Sequence, residues 1–167
     1  MRQLSIVLLA FVSAAIGPAS LAGAQGIASH DTNAPVEFSA DQIELQDKQN
    51  RVVLLGNVLI TQGDLTLRAA RTTVAYTDAG SLEIKRLDAT GGVTVSRGNE
   101  SASGAVAVYD FNKRIIVMSG GVSLRRGSDR LQGGRLVIDL RTGLSSVDGR
   151  ASGQSTSRVS GSFTVPK

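Results

Sequence analysis

The sequence predicts an all-β fold built from stacked repeats, each a pair of strands spanning ~29 residues. From Pro35 onward apolar and polar residues alternate with a period of two, as over residues 36–46, which is typical of half-buried strands. No stretch of ten or more residues after that point has helical periodicity. Glycines also recur at a fixed interval, because Gly91, Gly120 and Gly149 lie 29 positions apart.

Residues 1–24 have the features of a cleavable signal peptide. Arg2 precedes an apolar run over residues 4–17, and Ala22 and Ala24 supply the small residues of a cleavage site after Ala24. The alternative is an uncleaved membrane anchor, but a spanning helix needs ~20 apolar residues and this run is shorter. The sequence therefore predicts export.

The rest of the chain divides into three parts. Residues 25–34 form a polar segment that is predicted to be a flexible lead-in. Residues 35–150 carry the strand pattern and form the folded domain, and residues 151–167 are a Ser/Gly-rich tail with a possible last strand over residues 158–165. The chain contains no cysteine, so apolar burial and backbone pairing must hold the domain together.

The repeated strands share one pattern, in which apolar residues stand two and four positions from a central glycine. Because side chains of a strand alternate in direction, these residues and the glycine are predicted to share an inner face. A glycine there indicates a sharp bend or a close backbone approach. The flanking residues are Val52, Leu54, Val58 and Ile60 around Gly56, Leu87, Ala89, Val93 and Val95 around Gly91, and Ile116, Met118, Val122 and Leu124 around Gly120.

The intervening strands and turns complete each unit. Leu65, Leu67 and Ala69 alternate with polar residues, and turn-forming residues follow each such strand. Asp110 and Asp139 stand at matching places in these turns, where we expect them to cap the turn rather than to act in catalysis. No single unit could bury its own apolar face, so stacking is required and creates a continuous apolar trough.

The residues that enzymes and cofactor sites need are missing. The only histidine is His30, in the lead-in, and there is no cysteine, so metal, haem and iron–sulfur sites and Ser-His-Asp catalysis are not expected. Charges of both signs are spread along the chain, with a net charge of +4, which does not indicate a nucleic-acid-binding protein. We therefore predict neither an enzyme nor a cofactor.

One group of basic residues has two interpretations. Arg125, Arg126, Arg130 and Arg135 fall within one repeat. They either form an ordinary solvated surface or contact the phosphate of an anionic head group, since guanidinium groups pair well with phosphate.

Three motifs resemble a known family. They are A-D-x-I-x-L at residues 40–45, G-N-V-x-I-x-Q-G at residues 56–63 and L-x-L-x-A at residues 65–69, in that order. The resemblance, which extends over residues 35–150, is to the LptA/OstA-like family of periplasmic lipopolysaccharide-transport proteins.

The resemblance implies a twisted, open β-jelly roll bent into a V, whose apolar interior shields lipopolysaccharide acyl chains. It also implies a periplasmic homo-oligomer that joins head to tail by edge-strand pairing between LptC-like and LptD-like partners. The lipid-contacting residues would include Val36 and Phe38 on the first strand. The others are Val58, Ile60, Leu65 and Leu67 on the next inner faces and, from alternation alone, Val93, Val95, Met118, Val122 and Leu124.

Two other architectures remain to be separated from a lipid carrier. A self-assembling β-solenoid scaffold would have the same strands but a dry interior without cargo. A small outer-membrane barrel would need aromatic girdles, whereas aromatic residues make up 4% of the chain. A cavity wide enough for acyl chains, or a lipid that co-purifies, distinguishes the carrier from the scaffold.

Overall fold

The computed structural model describes Ile27, residues 30–150 and residues 158–165, and in them a single antiparallel sheet of ten strands. From β3 to β8 each strand pairs with the next along the chain, while β1 and β2 both pair with β3, and β9 and β10 both pair with β8. The predicted all-β class is confirmed. The strands are β1 Val36–Ser39, β2 Gln42–Gln46, β3 Arg51–Gln62, β4 Leu65–Asp78, β5 Leu82–Arg97, β6 Glu100–Asp110, β7 Ile115–Arg126, β8 Asp129–Asp139, β9 Leu144–Asp148 and β10 Ser160–Ser162, with one 3-10 turn over Asp47–Gln49.

The predicted repeat corresponds to the pairs β3–β4, β5–β6 and β7–β8. In β7, for example, Ile116, Met118, Val122 and Leu124 are buried, and the residues between them are more exposed. These positions lie 29 residues after Leu87, Ala89, Val93 and Val95 of β5, which are also buried. The same inner-face pattern therefore recurs from unit to unit, as alternation predicts.

The repeated glycines occupy a different place from the predicted one. In β7 both Gly120 and Gly121 have positive φ, at 85° and 68°, and lie opposite the single residue Gly134 of β8, so the strand carries a β-bulge. Gly120 is exposed and does not share the inner face with its apolar neighbours. The bulge adds one residue to β7 relative to β8, yet Met118 and Val122 on its two sides both point inward, so the sequence pattern alone does not reveal the bulge. Equivalent bulges occur at Gly56–Asn57 in β3 and at Gly91–Gly92 in β5.

The bulges lie side by side across the sheet and divide it into two arms. We call the part that contains β1 and β10 arm I, and the part that contains β2 and β9 arm II. Within β3–β8, arm I comprises residues 58–62, 65–69, 93–97, 100–104, 122–126 and 129–133, and arm II comprises residues 51–55, 71–78, 82–90, 106–110, 115–119 and 135–139.

The two arms face each other. The hydroxyl of Tyr109, on arm II of β6, donates a hydrogen bond of 3.1 Å to Oε1 of Gln62, on arm I of β3, although these strands are not neighbours. Buried apolar residues of both arms also belong to one continuous core cluster. The sheet is therefore folded along the line of bulges into an open β-jelly roll, and we call the space between its arms the trough.

Candidate functional site

The predicted lipid-contacting residues all lie on strand faces that point into the trough. Val36 is half-buried, and Phe38 is 43% exposed because it lies near the end of the sheet. The remaining nine are buried in the common core: Val58, Ile60, Leu65, Leu67, Val93, Val95, Met118, Val122 and Leu124. The trough is thus an apolar interior lined from both arms.

The middle of the trough is filled by its own side chains. The cavity between Ile60, Leu67 and Val95 of arm I and Leu87, Tyr109 and Ile116 of arm II has a volume of about 10 Å³. One water molecule needs ~10–15 Å³ by this measure. An acyl chain could therefore enter the middle only if side chains or arms moved apart.

One end of the trough is open at β1 and β2. Phe38, Ile43 and Leu45 are 43%, 44% and 69% exposed. Their register partners are the inward-facing residues Ile60, Leu54 and Val52, so all three point toward the trough. They form an uncovered apolar surface, which we call the N-terminal mouth.

The other end contains an open pocket of about 260 Å³, which we call the C-terminal mouth. Apolar side chains line it, including Phe163, which is 67% exposed. The backbone N–H of Thr164 donates to Oδ1 of Asp129 (2.9 Å), and this bond fixes the segment that carries Phe163. The pocket is lined by Leu124, Arg126, Asp129, Arg130, Leu131, Gly143, Ser145 and Phe163.

The four predicted arginines do not form one cluster. Arg126 and Arg130 line the C-terminal mouth, and Nη2 of Arg126 donates to both oxygens of Glu100 at 3.2 and 3.3 Å. Arg125 lies directly opposite Arg130 in the β7–β8 register. Arg135 is on arm II, opposite Ser119.

A chain segment outside the sheet crosses the side of the trough. It consists of Ile27 and residues 30–34, and we call it the strap. The sequence predicts a flexible lead-in here, whereas in the structure Ile27 and His30 are buried. Sequence analysis missed the residues that hold the strap, Gln62 and Glu100. The signal that could reveal them is a polar residue at an inward position, since both continue the inner-face alternation of β3 and β6.

Ionisable groups near the strap are paired or buried. Burial raises the pKa of the Asp64 carboxyl, whereas the hydrogen bond from Arg97 (2.7 Å) and the positive charge of Arg97 lower it. The lowering effects outweigh burial, so the pKa of Asp64 lies below its usual value. Burial raises the pKa of the Tyr109 hydroxyl to about 12. Tyr109 is therefore neutral at physiological pH and available as the donor to Gln62.

The turn aspartates act as predicted. Oδ1 of Asp110 accepts from the backbone N–H of Lys113 (2.9 Å), and Oδ1 of Asp139 accepts from those of Arg141 (2.9 Å) and Thr142 (3.0 Å). The Thr142 bond lowers the pKa of Asp139. Among the residues that the structure describes, no group of acidic residues and histidine could hold a metal ion, and no helix is long and apolar enough to cross a membrane.

Comparison with known proteins identifies the family. The profile of the family described as "LptA/(LptD N-terminal domain) LPS transport protein" matches residues 37–144, which include β2 to β8 and most of β1. The chain belongs to this family. It is a family of lipopolysaccharide-transport proteins, and the open jelly roll that the sequence resemblance implies is confirmed.

Two similar proteins show how far the likeness of this chain to known proteins extends. An uncharacterised protein of Rhizobium meliloti (strain 1021) is 28% identical over 112 residues, which are 64% of this chain, and the match spans 60% of that relative's length. The crystal structure of LptH from Pseudomonas aeruginosa, described as the LptA homologous periplasmic component of the lipopolysaccharide transport device, superposes with a TM-score of 0.71. At 21% identity, covering 81% of this chain and 99% of LptH, it establishes a shared fold.

Proposed function

We propose that this protein is a periplasmic lipopolysaccharide carrier that shields acyl chains in its trough and bridges the inner and outer membranes by head-to-tail assembly. The observation that carries the proposal is a folded sheet whose two inner faces are apolar and whose two mouths expose apolar residues. Family membership supports transport rather than catalysis. Each buried methylene of an acyl chain would contribute ~0.8 kcal/mol to binding.

Acyl chains would enter at a mouth and displace the packing in the middle. The trough wall is mostly aliphatic, and its aliphatic side chains make no directional bonds, but the hydrogen bond from Tyr109 to Gln62 would have to break when the arms separate. The sugars would project from the side of the trough. On this view the core and the binding site are the same surface, with Val58, Ile60, Val93 and Val122 serving both purposes.

The terminal strands suit head-to-tail assembly. Each end of the sheet is covered by two short strands in place of one long strand, β1 and β2 at one end and β9 and β10 at the other. Within the described residues no strand pairs with their outer edges, which could therefore pair with a strand of another chain. Joining the C-terminal mouth of one copy to the N-terminal mouth of the next would bring Phe163 toward Phe38 and Ile43, covering both apolar surfaces. We propose LptC-like and LptD-like proteins as the partners at the two ends of the assembly.

We further propose that the C-terminal mouth contacts a phosphate of the cargo. Arg130 and Arg126 lie beside the apolar Leu124, Leu131 and Phe163, an arrangement that suits an anionic amphiphile. Part of the charge of Arg126 is compensated by Glu100, so Arg130 would make the main contact. Arg125 could add to the attraction from its position opposite Arg130, whereas Arg135 is too far along the strand to join this group.

Photocrosslinking in cells tests the proposal. A photoreactive residue placed at Phe38 or Ile60 should give adducts with lipopolysaccharide, and one placed at Glu37 or Thr61 should not. The controls are matched, since Glu37 and Thr61 are register partners one position away from Phe38 and Ile60 and point outward. No adduct at any position, in a folded and exported protein, would refute the carrier proposal.

One observation favours a second candidate, a self-assembling scaffold without cargo. The cavity of about 10 Å³ in the middle of the trough is what a dry interior would have. Mass spectrometry of lipids extracted from the purified protein separates the two functions. A co-purified lipid in near-stoichiometric amount supports the carrier, and its absence together with filament formation supports the scaffold.

A further inference from the structure

We infer that Ile27 of the strap occupies an acyl-chain slot of the trough, and that an incoming alkyl chain takes its place. This inference rests on the proposed function and specifies where in the trough cargo binds. When no cargo is bound, a displaceable segment of the same chain fills that slot.

Ile27 is enclosed within the trough. Its side chain is 0% exposed and belongs to the same core cluster as residues of both arms. Its backbone N–H donates to Oε2 of Glu100 (2.8 Å), a carboxylate that is itself 0% exposed. An isoleucine side chain is a short branched alkane, so the slot that accepts it has the shape and chemistry to accept part of an acyl chain.

The rest of the strap is held by hydrogen bonds to Gln62. Gln62 makes four hydrogen bonds: its Nε2 donates to the carbonyl oxygens of Thr32 and Ala34 (3.0 Å each), and its Oε1 accepts from Tyr109 (3.1 Å) and from Nε2 of His30 (2.9 Å). Because Oε1 can only accept, the Nε2 atom of His30 carries the hydrogen. One inward-facing side chain therefore fastens the strap to both arms.

The attachments of the strap are local. The strap belongs to none of the ten strands, and side-chain groups hold it in place of a β-ladder. Asp31 and Asn33 face solvent between the attachment points. Removing the strap would expose Ile27 and the wall of its slot and would break the hydrogen bonds to Gln62 and Glu100. We expect the sheet to stay paired, because residues 30–34 and Ile27 belong to none of its strands. An alkyl chain that replaces Ile27 restores the apolar contact that its departure removes.

The position of the strap also suits displacement by cargo. Glu100 begins β6 and Gln62 ends β3, so both attachment points lie at the free ends of arm I, and Tyr109 reaches them from arm II. The strap therefore crosses the side opening between the arms. A lipid with its acyl chains in the trough and its sugars outside would meet the strap as it moves along.

Two substitutions test the slot with a long-chain fluorescent fatty acid as the probe. Ile27→Ser removes the occupant, and Gln62→Leu removes the fastening. Both should lower the dissociation constant of the probe by ~5-fold or more, because the form of the protein whose slot is empty and able to bind the probe becomes more populated. Leu82→Ser and Gln132→Leu are the matched controls. They make the same kinds of change at exposed positions and should leave the dissociation constant unchanged.

A spin label reports movement of the strap directly. The chain has no cysteine, so Asp31→Cys and Glu83→Cys each provide a single labelling site. Addition of the probe should sharpen the spectrum of the label at residue 31 and leave that at residue 83 unchanged. This measurement uses an intact core, so it remains decisive if Ile27→Ser fails to fold.

The outcomes separate this inference from the proposed function. If the wild-type protein binds the probe while the label at residue 31 stays immobile, or if Ile27→Ser binds no more tightly than Leu82→Ser, the strap is a structural element and the inference is wrong. If neither the wild-type protein nor a folded Ile27→Ser variant binds the probe, the lipid-carrier proposal fails with it.

Discussion

The bulge in β7 allows a sharp test of how the sheet is folded, because its two glycines have similar backbone conformations but different space around them. Both Gly120 and Gly121 have positive φ. A Cβ added at Gly120 would lie 2.5 Å from Cβ of Ala105, whereas one added at Gly121 would meet nothing within 4 Å. Replacing each by alanine therefore separates the cost of the backbone conformation from the cost of the collision.

The expected magnitudes follow from these geometries. Gly121→Ala should lower the free energy of unfolding by ~1–2 kcal/mol, because alanine is strained in the left-handed conformation. A gain of ~0.4–1 kcal/mol partly offsets this, because alanine makes the unfolded chain less flexible. The net cost should be about 1 kcal/mol. Gly120→Ala carries the same cost and a further ~1–3 kcal/mol of overpacking against Ala105. Adding Ala105→Gly should remove the collision and return the double variant toward Gly121→Ala.

Urea unfolding followed by circular dichroism gives the free energies for this comparison. The dependence on urea should stay constant across the variants, since the surface exposed on unfolding is the same. Equal losses for Gly120→Ala and Gly121→Ala would refute the close approach of β7 to Ala105. A double variant no more stable than Gly120→Ala would refute it too.

Three further predictions use the same unfolding measurement. Because the pKa of Tyr109 is raised to about 12 in the folded protein, the free energy of unfolding should fall by roughly 2–3 kcal/mol as the pH rises from 10 to about 12. Tyr109→Phe should remove this fall, and a variant with the same pH profile as the wild type would contradict the prediction. Ile60→Asp should cost ~3–5 kcal/mol and Thr61→Asp ~0.5 kcal/mol or less, so equal tolerance would overturn the assignment of faces. Arg126→Gln should cost about 2 kcal/mol because it takes a charged donor from the buried Glu100, and a neutral result would show that the carboxylate is satisfied without it.

Alternation in the sequence predicts the inner-face residues two and four positions on either side of the central glycine in β3, β5 and β7. It does so because the bulge in each of these strands keeps the same parity on both sides, so Val93 follows Ala89 without a change of phase. In β4 the phase changes, since Ala69 and Thr72 both point inward across the fold line. A period-two pattern cannot show such a change, because it depends on the neighbouring strand.

The strap and the C-terminal mouth depend on contacts between distant parts of the chain, and local sequence does not determine these. Ile27 lies in a polar stretch, and its burial comes from packing in the core cluster, while its backbone N–H donates to Glu100, which is 73 positions away. The mouth likewise combines Leu124 and Phe163, which are joined only when the tail returns to β8. The predicted arginine cluster shows the opposite behaviour. Its members are close in sequence, but the fold separates Arg135 on arm II from the other three on arm I.

The row of bulges also bears on how a chain of similar repeats avoids pairing incorrectly. A hairpin that slipped by two residues would keep its apolar side chains on the inner face, so alternation alone does not prevent such slippage. The bulge prevents such slippage, because its two residues with positive φ fit opposite a small residue such as Ala70 or Ala105. In the β3–β4 hairpin, slippage by two would place them opposite Arg68 or Thr72 instead. Each bulge therefore marks the correct alignment of its hairpin during folding, and its loss should favour misaligned, aggregation-prone sheets.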